Sequence, residues 1–158
     1  MNKHLSEMTL SELIREEGIP CSCGKVHRCQ LRDFRSGPGA VRSLPDVLRG
    51  RGRKKPMVVM DQNTRAAGGE KGHGVLEEAG IPHSVFVFPD FGKGKMEPDE
   101  YAMGALTMAL DPSCDVILAV GSGVINDCCK VMAHACNLPS MVVCTAPSMD
   151  GYCKPPCW

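Results

Sequence analysis

Gly121-Ser122-Gly123 stands between an apolar run, Val116-Ile-Leu-Ala-Val120, and a helix-like stretch, Val124-Ile-Asn-Asp-Cys-Cys-Lys130. Glycine at a strand-to-helix turn lets the backbone approach a ligand, because no Cβ intervenes. The first N–H groups of the new helix have no intrahelical partner, and with the positive dipole end they attract a phosphate. A second apolar run, Ser140 to Cys144, opens into a polar loop carrying Thr145, Ser148 and Asp150. Two adjacent strand ends would thus bring a phosphate cradle beside hydroxyl and carboxylate groups. Taken alone, a GxG turn without the third glycine of the dinucleotide fingerprint is equally a tight turn of any α/β protein.

The elements that must position these groups can be read from periodicity and punctuation. A first helix is expected from about Thr9 to Glu17, capped by Thr9, with Leu10, Leu13 and Ile14 as its apolar stripe and Gly18-Ile-Pro20 as its stop. A strand or hairpin follows around Val26 to Leu31, then a helix from Ala40 to Leu48 with Pro45 in its first turn or at a break. Beyond the basic run the order becomes regular. Strands at Met57–Met60, Ser84–Phe88, Val116–Val120 and Met141–Cys144 alternate with helices near Thr64–Ala79, Pro98–Leu110 and Ser122–Asn137. Strict strand–helix alternation predicts a parallel, doubly wound α/β sheet. Val116 to Val120 is apolar throughout, as a strand covered on both faces should be. Ligands in such sheets bind outside the carboxyl ends of the strands, where Asp61, Gly121 and Thr145 fall.

Composition narrows the function classes. The 158 residues carry eighteen acidic and eighteen basic side chains, so no global field draws the chain to nucleic acid or anionic lipid. The run Arg49-Gly-Arg-Gly-Arg-Lys-Lys55 is read as a solvated loop before a strand. No apolar stretch approaches the roughly 20 residues that span a bilayer, and the polar N-terminus is not a signal peptide, so a soluble, cytoplasmic protein is expected. Among the ten cysteines, Cys128, Cys129, Cys136 and Cys144 fall in helix or strand patterns, where a thiol serves as a small hydrophobe. Cys21, Cys23, His27 and Cys29 place four soft ligands within nine residues. That cluster is either a structural hairpin or a metal or redox site of a non-catalytic module, although C-x-C departs from the usual knuckle spacing. His73, His83 and His134 have no partner at ligand spacing and are read as structural.

The two segments together, GSGVINDCCK and TAPSMDGY, resemble the sn-glycerol-1-phosphate dehydrogenase family, within the superfamily of dehydroquinate synthase and the iron-containing alcohol dehydrogenases. Cys21-Ser-Cys-Gly-Lys-Val-His27 is similar to the N-terminal hairpin of a bacterial branch, and Val58-Val-Met-Asp-Gln-Asn-Thr64 to the first nucleotide-binding strand. The glycine turn is shared across the superfamily, and the Thr145–Gly151 loop points to the glycerol-1-phosphate branch. The resemblance implies a Rossmann-like domain over 36–152, with 1–35 as a helix and Cys-rich hairpin of the same domain and 153–158 as a divergent tail. It also implies a homo-oligomeric NAD(P)-dependent oxidoreductase that reduces glycerone phosphate to sn-glycerol 1-phosphate.

For the site, the resemblance implies that Gly121, Ser122 and Gly123 hold the cofactor pyrophosphate, with Val124 and Ile125 continuing the helical turn beside it. Asp127, read as lying in that first turn, is either a cofactor contact or a packing residue. Thr145 and Ser148 match a hydroxyl pair along the cofactor; the other reading is a Ser/Thr turn bonding its own backbone. Asp150 matches a substrate contact. Asp61 matches a position near the adenosine, where it would accept ribose hydroxyls and disfavour a 2′-phosphate, or is simply an exposed turn residue. A divalent metal, zinc or nickel, would polarise the substrate carbonyl, held by an Asp and two His of a following helical domain. After Asp150 come only Gly-Tyr-Cys-Lys-Pro-Pro-Cys-Trp, where the family has a Thr-Ser pair after the tyrosine. The sequence therefore reads as the cofactor-binding half alone, through truncation or a frame shift. Weak cofactor binding, little turnover and a tendency to associate through an uncovered edge are the corresponding expectations.

Overall fold

The computed structural model describes residues 4–15, 17–92, 95–148 and 151–153; the tail from residue 154 lies outside them. Near the start, α1 spans Leu10–Leu13 and is held by reciprocal capping. The Glu12 N–H donates to the Thr9 hydroxyl, and the Thr9 N–H donates to the Glu12 carboxylate. The cap falls where expected, but the helix is a single turn and buries no residue, with Leu10 exposed. Without a core face, nothing extends it toward Glu17. A short antiparallel hairpin follows, β1 (Ile19–Pro20) with β2 (Val26–His27), so the strand expected as far as Leu31 stops after two residues.

The main body is one four-stranded sheet of β3 (Pro56–Met60), β4 (Ser84–Val87), β5 (Val116–Gly121) and β6 (Ser140–Cys144). All pairings are parallel, in the order β4-β3-β5-β6. Every residue of β3 and β5 is buried, as the unbroken apolar runs require, whereas β4 and β6 are half-exposed edges. Helix α2 (Leu44–Gly50), with Pro45 in its first turn, and the later α4 (Glu70–Glu78) cover one face. There Leu44, Leu48 and Leu76 pack against Val58, Met60, Leu118 and Val120. Helices α5 (Glu100–Met108) and α6 (Gly123–Ala135) cover the other. Ala102, Leu106, Ile125, Cys129 and Met132 pack there against Met57, Val59, Ile117 and Ala119. Successive strand residues thus serve opposite faces, as the pleat demands.

Between β3 and α4 the chain does not form one helix from Thr64 to Ala79. It starts as a turn, α3 (Gln62–Thr64), capped by Asp61, then widens to a π segment over Arg65–Gly69 before α4. Gly68-Gly69 within an otherwise helical pattern gives the backbone the freedom for that wider turn. Further along, Asp99 caps α5 by accepting the Tyr101 and Ala102 N–H groups.

A polar staple aligns the amino ends of the two central strands. Asp115 accepts the backbone N–H groups of Lys54 and Lys55 at 2.7 and 3.0 Å, and the Lys55 ammonium pairs with Asp111 at 2.8 Å. The Lys55 hydrogen bond, with those from Ser113, holds the Asp111 carboxyl well below the usual carboxylate range, and the same bond raises Lys55. A depressed carboxylate contributes stability above its unfolded value of about 3.9, lost as pH falls through the folded value. A raised lysine contributes below its unfolded value of about 10.4, lost as pH rises through the folded one. Asp111→Asn is therefore expected to lower the urea midpoint at neutral pH, with the gap to the parent closing in strong acid. Denaturation curves across pH 2 to 7 check this, and a gap independent of pH would assign the loss to packing.

Candidate functional site

Register decides where loops leave the sheet. The last β3–β5 pair is Val59–Ala119, and Gly121 pairs with Cys144. Gly121 and Cys144 therefore end their strands, and Asp61 directly follows β3, on one edge. Strand order reverses between β3 and β5, since β4 lies to one side of β3 while β5 and β6 lie to the other. A crevice at such a switch point is where open parallel sheets take ligands.

The glycine turn is built for close approach. A Cβ on Gly121 would come within 2.8 Å of the Ile125 Cβ, so glycine is what lets α6 start directly against the end of β5. Ser122 is the extended N-cap of α6, and its side chain makes no capping bond. The Gly123 and Val124 N–H groups precede the first intrahelical bond, from the Ile125 N–H to the Ser122 carbonyl at 3.1 Å. Gly123 has φ +33°, and a Cβ there would meet nothing within 4 Å, so the turn faces open space. A donor-bearing turn with an open side fits a diphosphate.

Around this turn the chain closes a frame. The Thr145 N–H donates to the Gly121 carbonyl at 3.3 Å, which ties the β6 loop to the β5 turn. From the opposite side the π segment leans in: a Cβ on Gly68 would lie 3.5 Å from the Thr145 methyl. The Tyr152 hydroxyl donates to the Ala146 carbonyl at 2.7 Å, and Lys130 donates from its ammonium to the Gly151 carbonyl at 3.0 Å. These bonds hold the Thr145–Ser148 loop against α6. Cys144, Thr145, Ala146, Pro147 and Tyr152 line an open hollow of about 410 Å³ there. Burial pushes the Tyr152 phenol above its ordinary value, and the nearby Cys144 thiol adds to the rise.

The structure thus brings Gly121, Ser122, Gly123, Val124, Ile125, Thr145 and Asp61 to one edge; Ser148 is exposed at the end of the described loop, and Asp150 lies outside the described residues. Asp61 has a local task, since its Oδ1 accepts the Thr64 N–H at 2.7 Å. Several expectations need correction. Asp127 lies beyond the first turn of α6, because that helix begins at Gly123, and it pairs with Lys130 at 3.0 Å. Cys144 is exposed, not a hydrophobe of the core, because β6 is an edge strand. Cys128 and Cys129 are buried as expected, and burial pushes the Cys128 thiol up to about 11. His73 and His83 do have a partner: each other, at 2.9 Å. Cys29 does not join Cys21, Cys23 and His27 in the N-terminal cluster. The sequence reading missed Gly68, Lys130 and Tyr152 as framing residues; only the adjacent glycines of 68–69 carried a local signal.

No trio of His, Cys, Asp or Glu among the described residues at this edge could hold a metal ion. Comparison with known proteins matches residues 35–157 to the family model described as iron-containing alcohol dehydrogenase. The chain belongs to that family. A glycerol-1-phosphate dehydrogenase [NAD(P)+] of Halalkalibacterium halodurans is 30% identical over 84% of this chain and 33% of its own length. One of Geobacillus stearothermophilus is 28% identical over 96% of this chain and 36% of its own. The chain thus spans about a third of the curated relatives it matches. Among solved structures, sulfoacetaldehyde reductase from Bifidobacterium kashiwanohense in complex with NAD+ aligns with a TM-score of 0.52 and 22% identity, over 68% of this chain and 29% of that one. Glycerol dehydrogenase from Schizosaccharomyces pombe aligns at 0.51 and 23%, over 65% and 25%. These likenesses show the fold, a Rossmann-like parallel sheet.

The two kinds of glycine here respond oppositely to a methyl group. Gly121→Ala is expected to destabilise the fold by about 1–3 kcal/mol, because the strand-to-helix contact is already closed. Gly104→Ala, at an exposed position of α5 with open space around the added Cβ, is expected to stabilise by about 0.5–1 kcal/mol. Urea unfolding of both variants reads the signs, and a neutral Gly121→Ala would show that α6 can move away from β5.

Proposed function

We propose that the Gly121–Gly123 turn holds the diphosphate of NAD or NADP, and that the whole protein reduces glycerone phosphate to sn-glycerol 1-phosphate. The observation that carries the reading is the open, positive-φ turn at the start of α6, placed beside the switch point of the sheet. The specific substrate follows the names of the curated relatives.

A bound dinucleotide supplies the hydride donor or acceptor, as cofactor chemistry requires. The Gly123 and Val124 N–H groups donate to its phosphate oxygens at the positive end of α6. Gly121 keeps the helix close enough to the strand for those donors to converge. Thr145 and Ser148 offer hydroxyl donors along the cofactor, and the Tyr152 and Lys130 bonds keep their loop from folding away. Asp150 is assigned to accept a hydrogen bond from a glycerone or glycerol hydroxyl. Asp61 accepts from ribose hydroxyls with the carboxylate oxygen that the helix cap leaves over, and its charge disfavours a 2′-phosphate. The metal requirement of the reading, zinc or nickel, is assigned to the whole protein, as are a cytoplasmic location and assembly into a homo-oligomer. No helix among the described residues is long and apolar enough to cross a membrane.

Calorimetric titration with NAD+ and NADP+ tests the cofactor half. Gly123→Asp, which puts a like charge where the phosphate would lie, is expected to weaken binding at least about tenfold, the equivalent of 1.4 kcal/mol. Asp61→Asn keeps a good capping side chain and is expected to raise NADP+ affinity relative to NAD+ severalfold. Unchanged affinity in Gly123→Asp would move the cofactor elsewhere. The substrate half is read as glycerone phosphate-dependent NADH oxidation, with and without zinc or nickel. Equal rates with unphosphorylated glycerone would remove the phosphorylated substrate from the reading.

A further inference from the structure

The N-terminal hairpin places three soft ligands at one point on an exposed surface. The sulfurs of Cys21 and Cys23 and a ring nitrogen of His27 all lie within 4.8 Å of one another, and the Cys23 sulfur is 3.3 Å from His27 Nε2. A tetrahedral zinc with Zn–S near 2.3 Å and Zn–N near 2.0 Å sets its ligand atoms roughly 3.5–3.8 Å apart. The cluster is therefore close to coordination spacing before any ion enters.

The backbone explains why a C-x-C spacing works here. The Gly24 N–H donates to the Cys21 carbonyl at 3.0 Å, and the Cys21 N–H donates to the Lys25 carbonyl at 2.9 Å. That closed turn, with Gly24 at φ +81°, brings Cys23 back over Cys21 and places His27 across from both. The Cys23 N–H donates to the Cys21 sulfur at 3.5 Å, which fixes that sulfur's position within the turn.

The hairpin also has little else to hold it. Each strand has two residues, both residues of β2 are exposed, and among the described residues the pair belongs to no larger sheet. An isolated two-stranded hairpin is marginal in water. A metal bound only by the folded hairpin would stabilise it by linkage.

We propose that Cys21, Cys23 and His27 form a three-ligand site for one zinc ion, which clamps the N-terminal hairpin and leaves its fourth position to water or an exchangeable donor. Two thiolates and an imidazole suit zinc, whereas calcium and magnesium call for oxygen donors. The inference stands on the hairpin alone and does not depend on the dehydrogenase reading.

The test uses the whole chain, reduced, prepared without a histidine tag and stripped with a chelator. Titration with cobalt(II) is expected to give thiolate-to-cobalt charge-transfer bands that saturate at one ion per chain and are bleached by one equivalent of zinc. Cys21→Ser, Cys23→Ser and His27→Ala are each expected to weaken binding by more than the roughly 10–100-fold that outer-sphere partners cost. Cys29→Ser and Cys144→Ser are expected to leave it unchanged, and none of these substitutions, which lie outside the buried core, should alter the melting of the sheet. Absence of the charge-transfer bands, or their survival in the Cys21→Ser/Cys23→Ser double variant, would overturn the site. Loss of binding in Cys29→Ser would overturn the three-ligand assignment.

Discussion

Burial of β3 and β5 on both faces constrains everything else in this chain. A strand apolar on both sides must be covered by helices on both sides, and parallel strands must be joined by crossovers that supply those helices. With right-handed crossovers, covering both faces requires the chain to travel one way from β3 to β4 and the other way from β4 to β5 and β6. That reversal opens a crevice at the carboxyl ends of the two central strands. The edge that carries Asp61 and the glycine turn is thus a by-product of keeping Val58, Val59, Leu118 and Ala119 away from water.

The edge then has to be thin. Gly121 lets α6 begin against the strand, Gly123 leaves the turn open, and the π segment passes beside Thr145 at Gly68. Larger groups are kept to the rim, where Tyr152 and Lys130 bind carbonyl oxygens of the β6 loop instead of filling the crevice. Backbone donors at the centre and side-chain anchors at the periphery suit a ligand recognised mainly through its phosphates.

Much of this was legible in the residues. The four strands and their parallel arrangement followed from apolar runs alternating with helical segments, and the turn at Gly121 from the glycines that close the β5 run. The helix cap at Thr9 fell where a small polar residue precedes apolar periodicity. What escaped was set by distance in sequence. Nothing local marks Lys130 as the partner of Gly151, or His83 as the partner of His73. The π segment escaped because a hydrophobic pattern cannot distinguish a regular turn from one widened by a single residue. Cys144 was misread because a strand's pattern does not state its place in the sheet, and β6 proved to be an edge. In the hairpin, sequence proximity suggested four ligands, while the turn geometry gathers three.

The strand order also bears on how the chain acquires its structure. Met57 pairs with Ser84 on one side and with Ile117 on the other, more than twice as far along the chain. The β3–α4–β4 unit can close first, while the remaining edge of β3 waits for β5. Closing that longer loop costs more chain entropy, and until then a wholly apolar strand presents unpaired N–H and C=O groups. The Asp115 contacts to Lys54 and Lys55, which span about 60 residues, sit where the late strand must register against the early one. They give docking of β5 a polar address that the surrounding apolar side chains do not provide, so the pairing that closes the longer loop also carries a check against misalignment.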